Sequence, residues 1–586
     1  MSPLKNFRKC KNQSQLALML NLSEKQFSNI VFSNNIDLKY HEFFIPKKSG
    51  GTRRILSPNT ELKALQADLA DILSKCYNEI ECTRVLRAKK ELSVRSFSSH
   101  GFRKSIEVKE KTYSFDIYSN ADKHTKKKYV LNIDIQDFFE TITFSRIVGF
   151  FCTNRDFLLE RSVAILIAQV ATYRPSQDVE GYLPQGSPLS PIISNLIGNI
   201  LDNKILKLAK KYKLDYSRYA DDITLSTNIR YFPEGIAYYK DNNWVVGNEL
   251  KTAVESARFK INHKKTRLSN KLQRQEVTAL TVNEKVNISS KYYKYTRSMV
   301  YEYCKTGDFY KSYEHRDRFE NNTNSLNGIL SFIYYIKTKG LSEGDDKRFR
   351  KFETLSTIEK LYVKFLFHYY FIYPLKATVI CEGFTDTMHL KFAYKKLFKS
   401  TAKYIKFTYM VDLGRLSKFM RFSGGTGCIM KFLEEYRSIS ISEKLSLVPC
   451  IIIVDGDKDG EDVEKRAKDL FKKTIKTIPV GSSEFHHIFQ NLYLIKLGNG
   501  SDIENLYLPS ISEKKIGTRT FNKSNASFNT TKFYGKKEFF DEIIRKNHET
   551  IDFNRFLEVF DLIHRINLYH CFYWLSSSKK KISINY

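Results

Sequence analysis

Two adjacent carboxylates are the first candidates for chemistry. Asp221 and Asp222 lie in Ser217-Arg218-Tyr219-Ala220-Asp221-Asp222-Ile223-Thr224-Leu225-Ser226, between apolar and β-prone residues. Like charges about 4 Å apart repel by roughly 1 kcal/mol in water and about 4 kcal/mol at the effective dielectric of a protein surface, so the pair calls for a cation. The flanking pattern reads as strand, tight turn, strand, which puts both acids at a hairpin tip. Asp345-Asp346 is the contrasting case, in a polar stretch with no apolar run beside it, and reads as a surface loop. A third acid, Asp134, interrupts the apolar segment Tyr129 to Ile135, a strand able to aim one ligand at a metal.

A second group of acids follows two later apolar runs. Glu382-Gly383 comes after Ala377-Thr378-Val379-Ile380-Cys381, and Asp455-Gly456-Asp457 after Ile451-Ile452-Ile453-Val454. Open α/β sheets build their sites at such strand ends. The alternating acids from Asp455 to Asp459 also suggest a calcium loop of the EF-hand kind. That motif needs a preceding helix and a Glu at its twelfth position. Here an apolar β-like run precedes and Arg466 fills the twelfth place, so the EF-hand is excluded.

The elements that must position the first group are partly readable. Residues 1 to about 40 form a helical lead-in, and Leu62 to Leu73 has helical spacing of its apolar positions. Phe43 to Leu56 reads as two β-like runs joined by Gly50-Gly51 and bearing four cations, suited to gripping a triphosphate. Lys47 and Arg53 are the candidate clamps, and Lys48 or Arg54 could take either role. Leu183 to Pro191 is a loop by its three prolines and its glycine. A helical pattern from Ile192 to Ala209 follows it.

With 586 residues the chain is too long for one core, and length suggests roughly two to four domains. A net charge of +32 points to a polyanionic partner, since each neutralised phosphate releases condensed counterions. There is no leader-like start and no apolar run of about 18 residues, which argues against a membrane. Nine cysteines without CxxC spacing suggest neither zinc nor a disulfide framework, and fit a reducing cytoplasm.

Taken together, Lys47-Lys48-x-Gly50-Gly51-x-Arg53, Asp134-Ile135-x-x-Phe138-Phe139, Pro184-Gln185-Gly186-Ser187-Pro188-x-Ser190-Pro191, Tyr219-Ala220-Asp221-Asp222 and Phe259 to Thr266 resemble a reverse transcriptase. Asn120-Ala121-x-x-His124 and Ser99-His100-Gly101 are similar to retron enzymes in particular. Where those show Val-Thr-Gly, this chain has Val277-Thr278-Ala279. The resemblance implies a right-hand polymerase of fingers, palm and thumb over 1–340. In it Asp134, Asp221 and Asp222 hold two Mg²⁺ ions, Lys47, Arg53, Gln185 and Gly186 meet the substrate, and Phe139 excludes a ribose 2′-hydroxyl. It further implies RNA contacts at Asn120, His124, Lys264, Lys265 and Arg297, with Tyr292, Tyr293 and Tyr295 opening a nucleic-acid-gripping thumb. Retron enzymes copy their own noncoding RNA, primed by a 2′-hydroxyl, into branched RNA-linked single-stranded DNA.

After a linker or helical connector over 341–374, residues 375–586 resemble the TOPRIM domain. The likeness rests on Glu382-Gly383, Ser423-Gly424-Gly425-Thr426-Gly427 and Asp455-x-Asp457, with Asp386 and Glu504 closest to the OLD-like nuclease branch. The implied fold is α/β. The implied chemistry is Mg²⁺- or Mn²⁺-dependent cleavage, with Glu382 as general acid/base and Asp386, Asp455, Asp457 and Glu504 as further metal ligands. It also implies a toxic effector in antiphage defence, restrained by the RNA–DNA product, and a homo-oligomer. The alternative is a non-catalytic TOPRIM module for binding or assembly. A group II intron lineage is disfavoured, because no HNH-like Cys/His cluster is present.

Overall fold

The computed structural model describes residues 2–32, 39–47, 50–87, 93–108, 110–176, 178–310, 322–340, 348–440, 446–522 and 529–582, without the side chains of 400–401 and 574–582. Lys48, the Asp345-Asp346 loop and the polar start of the expected linker lie outside the described residues. The chain forms two compact units, Met1–Ser289 and Ser290–Tyr586.

In the first unit, β1 (Tyr40–Pro46) and β2 (Thr52–Pro58) form the basic hairpin. The long helix α1 (Thr60–Arg87) follows. The central sheet holds β3 (Tyr129–Gln136), followed in the chain by helices α2 (Phe144–Thr153) and α3 (Arg161–Ala171). Helix α4 (Ser190–Lys211) starts with Pro191 in its first turn, where a missing N–H costs nothing. It buries Ile192, Ile193, Leu196, Ile197, Leu201 and Ile205, the 3.6-residue stripe read from the sequence. Strands β4 (Asp215–Tyr219) and β5 (Asp222–Thr227) form the acidic hairpin, and β6 (Lys260–Ile261) and β7 (Arg267–Asn270) complete the sheet. Its antiparallel order is β6-β3-β5-β4, with β7 also pairing with β3.

Behind the acidic hairpin lies a buried ion pair. Arg218, fully buried, donates from Nε and Nη2 to the Asp202 carboxylate of α4 at 2.7 and 2.8 Å. Its Nη1 donates to the Ala220 carbonyl at 3.1 Å and to Asn195 Oδ1 at 3.2 Å. The guanidinium therefore holds the turn itself, in which Ala220 adopts φ 58°, a left-handed conformation that side chains disfavour. Two glycines make room: a Cβ on Gly198 would lie 2.9 Å from the guanidinium carbon, and one on Gly101 would lie 2.6 Å from the Ala220 nitrogen. Residues 98–100 run beside β4, with Arg218 N donating to Ser98 O and His100 N to Arg218 O.

The second unit begins earlier in the chain than the composition suggests. Helices α5 (Ser290–Thr306) and α6 (Thr323–Thr338) bury Met299, Val300, Tyr303, Leu326 and Leu330 in its core, so they pack with this unit and not with the first. The expected connector is also core. Helix α7 (Thr357–Phe367), capped reciprocally by Ser356 and Glu359, buries Tyr362, Val363, Phe365, Leu366 and Phe367 in the same cluster.

Then come β8 (Ala377–Cys381), α8 (Phe384–Phe398), β9 (Ile405–Tyr409), α9 (Thr426–Ile439), β10 (Cys450–Val454) and α10 (Lys458–Leu470). Strands β11 (Lys476–Val480), β12 (Ser483–Phe489) and β13 (Leu492–Lys496) follow, and helix α11 (Leu557–Ile582) ends the described chain. The sheet order is β9-β8-β10-β13-β12-β11, in which β9, β8, β10 and β13 pair in parallel and β12 pairs antiparallel with both β13 and β11. Strands β8 and β10 are apolar and buried along their whole length, as a sheet covered on both faces requires. No described helix is long and apolar enough to cross a membrane, and the nine cysteines are all free.

The Arg218–Asp202 pair yields a stability prediction. Asp202→Asn leaves a buried guanidinium without its bidentate carboxylate and should cost about 3–5 kcal/mol, read as a lower thermal midpoint. Asp561→Asn, at the exposed Arg565 pair, should change it little. Equal effects from the two variants would contradict this reading of the hairpin's support.

Candidate active sites

In the first unit, Asp134 on β3 stands directly opposite Asp222 on β5, and Asp222 opposite Tyr219 on β4. Asp221 is in the turn, its carbonyl accepting from Ile135 N at 3.0 Å. Like charges facing one another across a sheet destabilise it, a cost that a bound cation or a retained proton relieves. Desolvation, with the charges of Asp221 and Asp134, pushes the Asp222 carboxyl up to about 6. Asp221 is also raised, mainly by burial and further by Asp134. The structure supplies one partial counter-charge: Lys265 Nζ donates to Asp134 Oδ2 at 2.7 Å, and Asn262 Nδ2 to Asp134 Oδ1 at 3.1 Å. A buried acid already held by an ammonium, beside two further carboxyls, is a donor set that fits divalent cations.

The surrounding candidates separate by their contacts. Arg54 is held by Glu42 through two hydrogen bonds of 2.8 and 2.7 Å. Arg53, on the opposite face of β2, lies close enough to Asp221 to lower its pKa, so of the two it is Arg53 that faces the acids. Lys47 sits at the hairpin end, its N–H donating to Gly51 O. The Pro-Gln-Gly loop reaches the same hairpin, with Leu56 N donating to Gln185 O at 2.7 Å. A Cβ on Gly186, at φ 123°, would fall 2.6 Å from Leu56 O, so the approach requires glycine. Phe139 is half-buried, with its ring 6.0 Å from Phe102 and 5.6 Å from Phe138.

Two of the residues expected to meet RNA are packed inside the unit. Asn120 and His124 are buried, at 1% and 0% exposure. His124 bridges Ser226 Oγ and Ser217 Oγ at 2.7 Å each, and Ser217 Oγ donates to Asn120 Oδ1 at 2.7 Å, so both residues brace the back of the acidic hairpin. Lys265 meets Asp134, while Lys264 is exposed beside it. Arg297 lies on α5 in the second unit, also exposed. The Val277-Thr278-Ala279 departure falls on a two-residue turn whose central residues have φ 47° and 63°, so Ala279 holds a conformation that glycine adopts freely.

The second set of acids gathers at the carboxyl ends of the parallel strands. The chain leaves β8 for β9 on one side and then crosses to β10 on the other, so the strand order reverses between β8 and β10. Glu382 and Asp455 follow these two strands, at the crevice where such sheets bind ligands. Glu382 Oε1 accepts from Asp455 N at 2.9 Å, and Glu382 O accepts from Gly425 N of the glycine turn. Asp386 Oδ2 accepts from Gly383 N at 2.9 Å, and Asp457 caps α10 by accepting from Gly460 N at 3.0 Å. Glu504, fully buried in the turn Ile503–Leu506 after β13, reaches the same place. The backbone is tight here: a Cβ on Gly456 would lie 1.9 Å from Gly498 O.

One cation absent from the sequence reading joins these acids. Lys536 Nζ lies 3.1 Å from Glu504 Oε2 and 3.8 Å from Asp455 Oδ2. Burial opposes its charge, but Glu504 and Asp455 outweigh it and hold the ammonium above the lysine range. Burial and neighbouring acids push Asp455 up to about 8, with Asp386 and Glu382 the leading neighbours. Burial raises Glu382 to about 7. Asp386 and Glu504 are raised by burial as well. Nothing near Lys536 in the sequence marks it; only the fold returns it to the strand ends. This donor set also fits divalent cations. Another close grouping, Glu464, Glu484 and His486, is an ion-pair cluster in which Glu464 already accepts Lys468 and Lys496.

Residues 45–294 match the family model described as reverse transcriptase (RNA-dependent DNA polymerase). The retron Ec86 reverse transcriptase of Escherichia coli is 30% identical over 335 residues, covering 56% of this chain and 84% of that protein. The chain belongs to the retron reverse transcriptase family. The retron Mx162 reverse transcriptase of Myxococcus xanthus is 30% identical over 282 residues, 46% of this chain and 52% of that one. The retron Mx65 enzyme of the same organism is 27% identical over 316 residues and covered to 60%, so the chain spans little more than half of these relatives. A telomerase structure from Candida albicans aligns over 78% of the chain at 12% identity, with a TM-score of 0.31, too low to argue from. The family match takes in Asp134, Asp221 and Asp222 and ends near the boundary between the units.

The raised acids of the second unit give a pH prediction. An unfolded carboxyl ionises near pH 4, whereas folded Glu382 and Asp455 keep their protons to about 7 and 8. Without metal, the folded unit therefore loses stability as pH rises from about 4 to 8. In EDTA, Asp455→Asn should raise the thermal midpoint at pH 8, with an effect that shrinks toward pH 5. No gain at pH 8 would contradict the strained-acid reading.

Proposed function

We propose that the chain is a retron RNA-directed DNA polymerase joined to a metal-dependent nuclease of the TOPRIM kind. The observation that supports this most is the separation of its acids into two sets, one at a hairpin tip in the family-matched unit and one at the strand-order reversal of an α/β unit. The first unit would copy the cognate noncoding RNA from dNTPs into RNA-linked single-stranded DNA, starting from a 2′-hydroxyl. The second would cut nucleic acid as an antiphage effector restrained by that product.

Asp134, Asp221 and Asp222 would hold Mg²⁺, and Glu382, Asp386, Asp455, Asp457 and Glu504 would hold Mg²⁺ or Mn²⁺, ions that activate oxygen nucleophiles and offset charge on phosphates. Lys47 and Arg53 bind the triphosphate, and the Gln185-Gly186 loop lies under the nascent pair. Phe139 blocks a ribose 2′-hydroxyl. In the second unit Glu382, raised to about 7, is poised to exchange a proton near neutral pH. Lys536 offers positive charge where a scissile phosphate would sit.

The test uses two variants of the full chain. Asp221→Asn with Asp222→Asn should abolish DNA synthesis and leave Mg²⁺- or Mn²⁺-dependent cleavage intact. Glu382→Ala should abolish cleavage and phage protection while leaving synthesis normal. Loss of synthesis on Glu382→Ala would sink the two-site model, and absence of any metal-dependent cleavage by the unaltered chain would leave the second unit a binding module.

A further inference from the structure

Apart from both sets of acids, a cleft of about 380 Å³ opens between α5 and α7 within the second unit. That volume lies inside the range of roughly 300–1,000 Å³ typical of small-ligand sites. Its walls combine two properties rarely found together. Arg297 from α5 and Lys360 and Lys364 from α7 line it, and so do the rings of Tyr293 and Tyr301, while no Asp or Glu is among the described residues that line it. Val300 and Leu361 give it an apolar floor.

The charges are placed at a cost. Lys360 and Lys364 are four apart on one helix, a spacing at which like charges repel, and both are half-buried. Lys364 finds a ring, with its ammonium 5.8 Å from the centroid of Phe352. Other lysines of this unit do meet carboxylates, as Lys468 and Lys496 meet Glu464. Tyr301 is 67% exposed although it is large and aromatic. Cations set beside the exposed Tyr301 and beside Tyr293, whose ring already draws the Lys337 ammonium to 4.8 Å from its centroid, complement a phosphate linked to a flat heterocycle.

We propose that this cleft binds a nucleotide unit, its phosphate between Arg297, Lys360 and Lys364 and its base against Tyr293 and Tyr301. The inference depends on neither set of acids. A free mononucleotide and one residue of a single strand share this chemistry, so the test carries both. The full chain is irradiated with 5-iodo-dUMP or with a short single-stranded oligodeoxynucleotide bearing 5-iodouracil, and cross-linked peptides are identified by mass spectrometry.

Labelling at Tyr293 or Tyr301 is expected, falling by about tenfold in Lys360→Gln/Lys364→Gln while labelling elsewhere on this basic chain persists. Labelling with 5-iodo-dUMP identifies a free nucleotide as sufficient, and labelling with the oligonucleotide alone identifies a strand. Arg297→Gln, on the other helix, should give the same loss if the lysine pair fails to fold. No cross-link at either tyrosine with either probe, or labelling indifferent to all three cations, would overturn the proposal.

Discussion

Carboxylates crowded together away from bulk water repel one another and hold their protons, and both halves of this chain are frames for keeping such groups in place. In each frame a lysine relieves part of that strain. Lys265 lies on Asp134, and Lys536 lies between Glu504 and Asp455. Burial, reinforced by the neighbouring acids, still displaces Asp222, Glu382 and Asp455 upward in pKa. Sites of that kind are poised for divalent cations.

The frames solve the problem differently. In the first unit the acids sit on a strained turn, so the support comes from behind: a buried guanidinium bonded to the turn carbonyl, a carboxylate on α4 to balance it, and His124 between two strand hydroxyls. In the second the acids sit at the ends of parallel strands, where the chain must reverse its order and the loops naturally converge. Support there comes from backbone amides, with Asp455 N on Glu382, Gly383 N on Asp386 and Gly460 N on Asp457.

Much of this was legible in the sequence because acids inside apolar runs are conspicuous. Asp134, Asp221, Asp222, Glu382 and Asp455 all announce themselves that way, and the apolar stripe of α4 and the buried strands β8 and β10 follow from periodicity. Burial of a polar side chain is not legible in the same manner. Asn120 and His124 carry a recognisable spacing, yet only packing shows that they face the sheet and not the solvent. Lys536 could not be read at all, since it reaches its acids from a distant segment. Where one compact unit gives way to the next is hard to read for a related reason: a polar stretch after residue 340 looks like a linker, whereas the apolar faces of α5 and α6 belong to the core of the second unit.

The central claim is that the chain carries two separate cation-demanding centres. Binding of Mn²⁺ to the full chain, followed by the resonance signal of the free ion, tests it directly. The account predicts that Asp221→Asn/Asp222→Asn removes one set of bound ions, that Glu382→Gln/Asp455→Asn removes a different set, and that the losses add when the four changes are combined. Binding that survives the four changes undiminished, or that either pair alone abolishes completely, would contradict it.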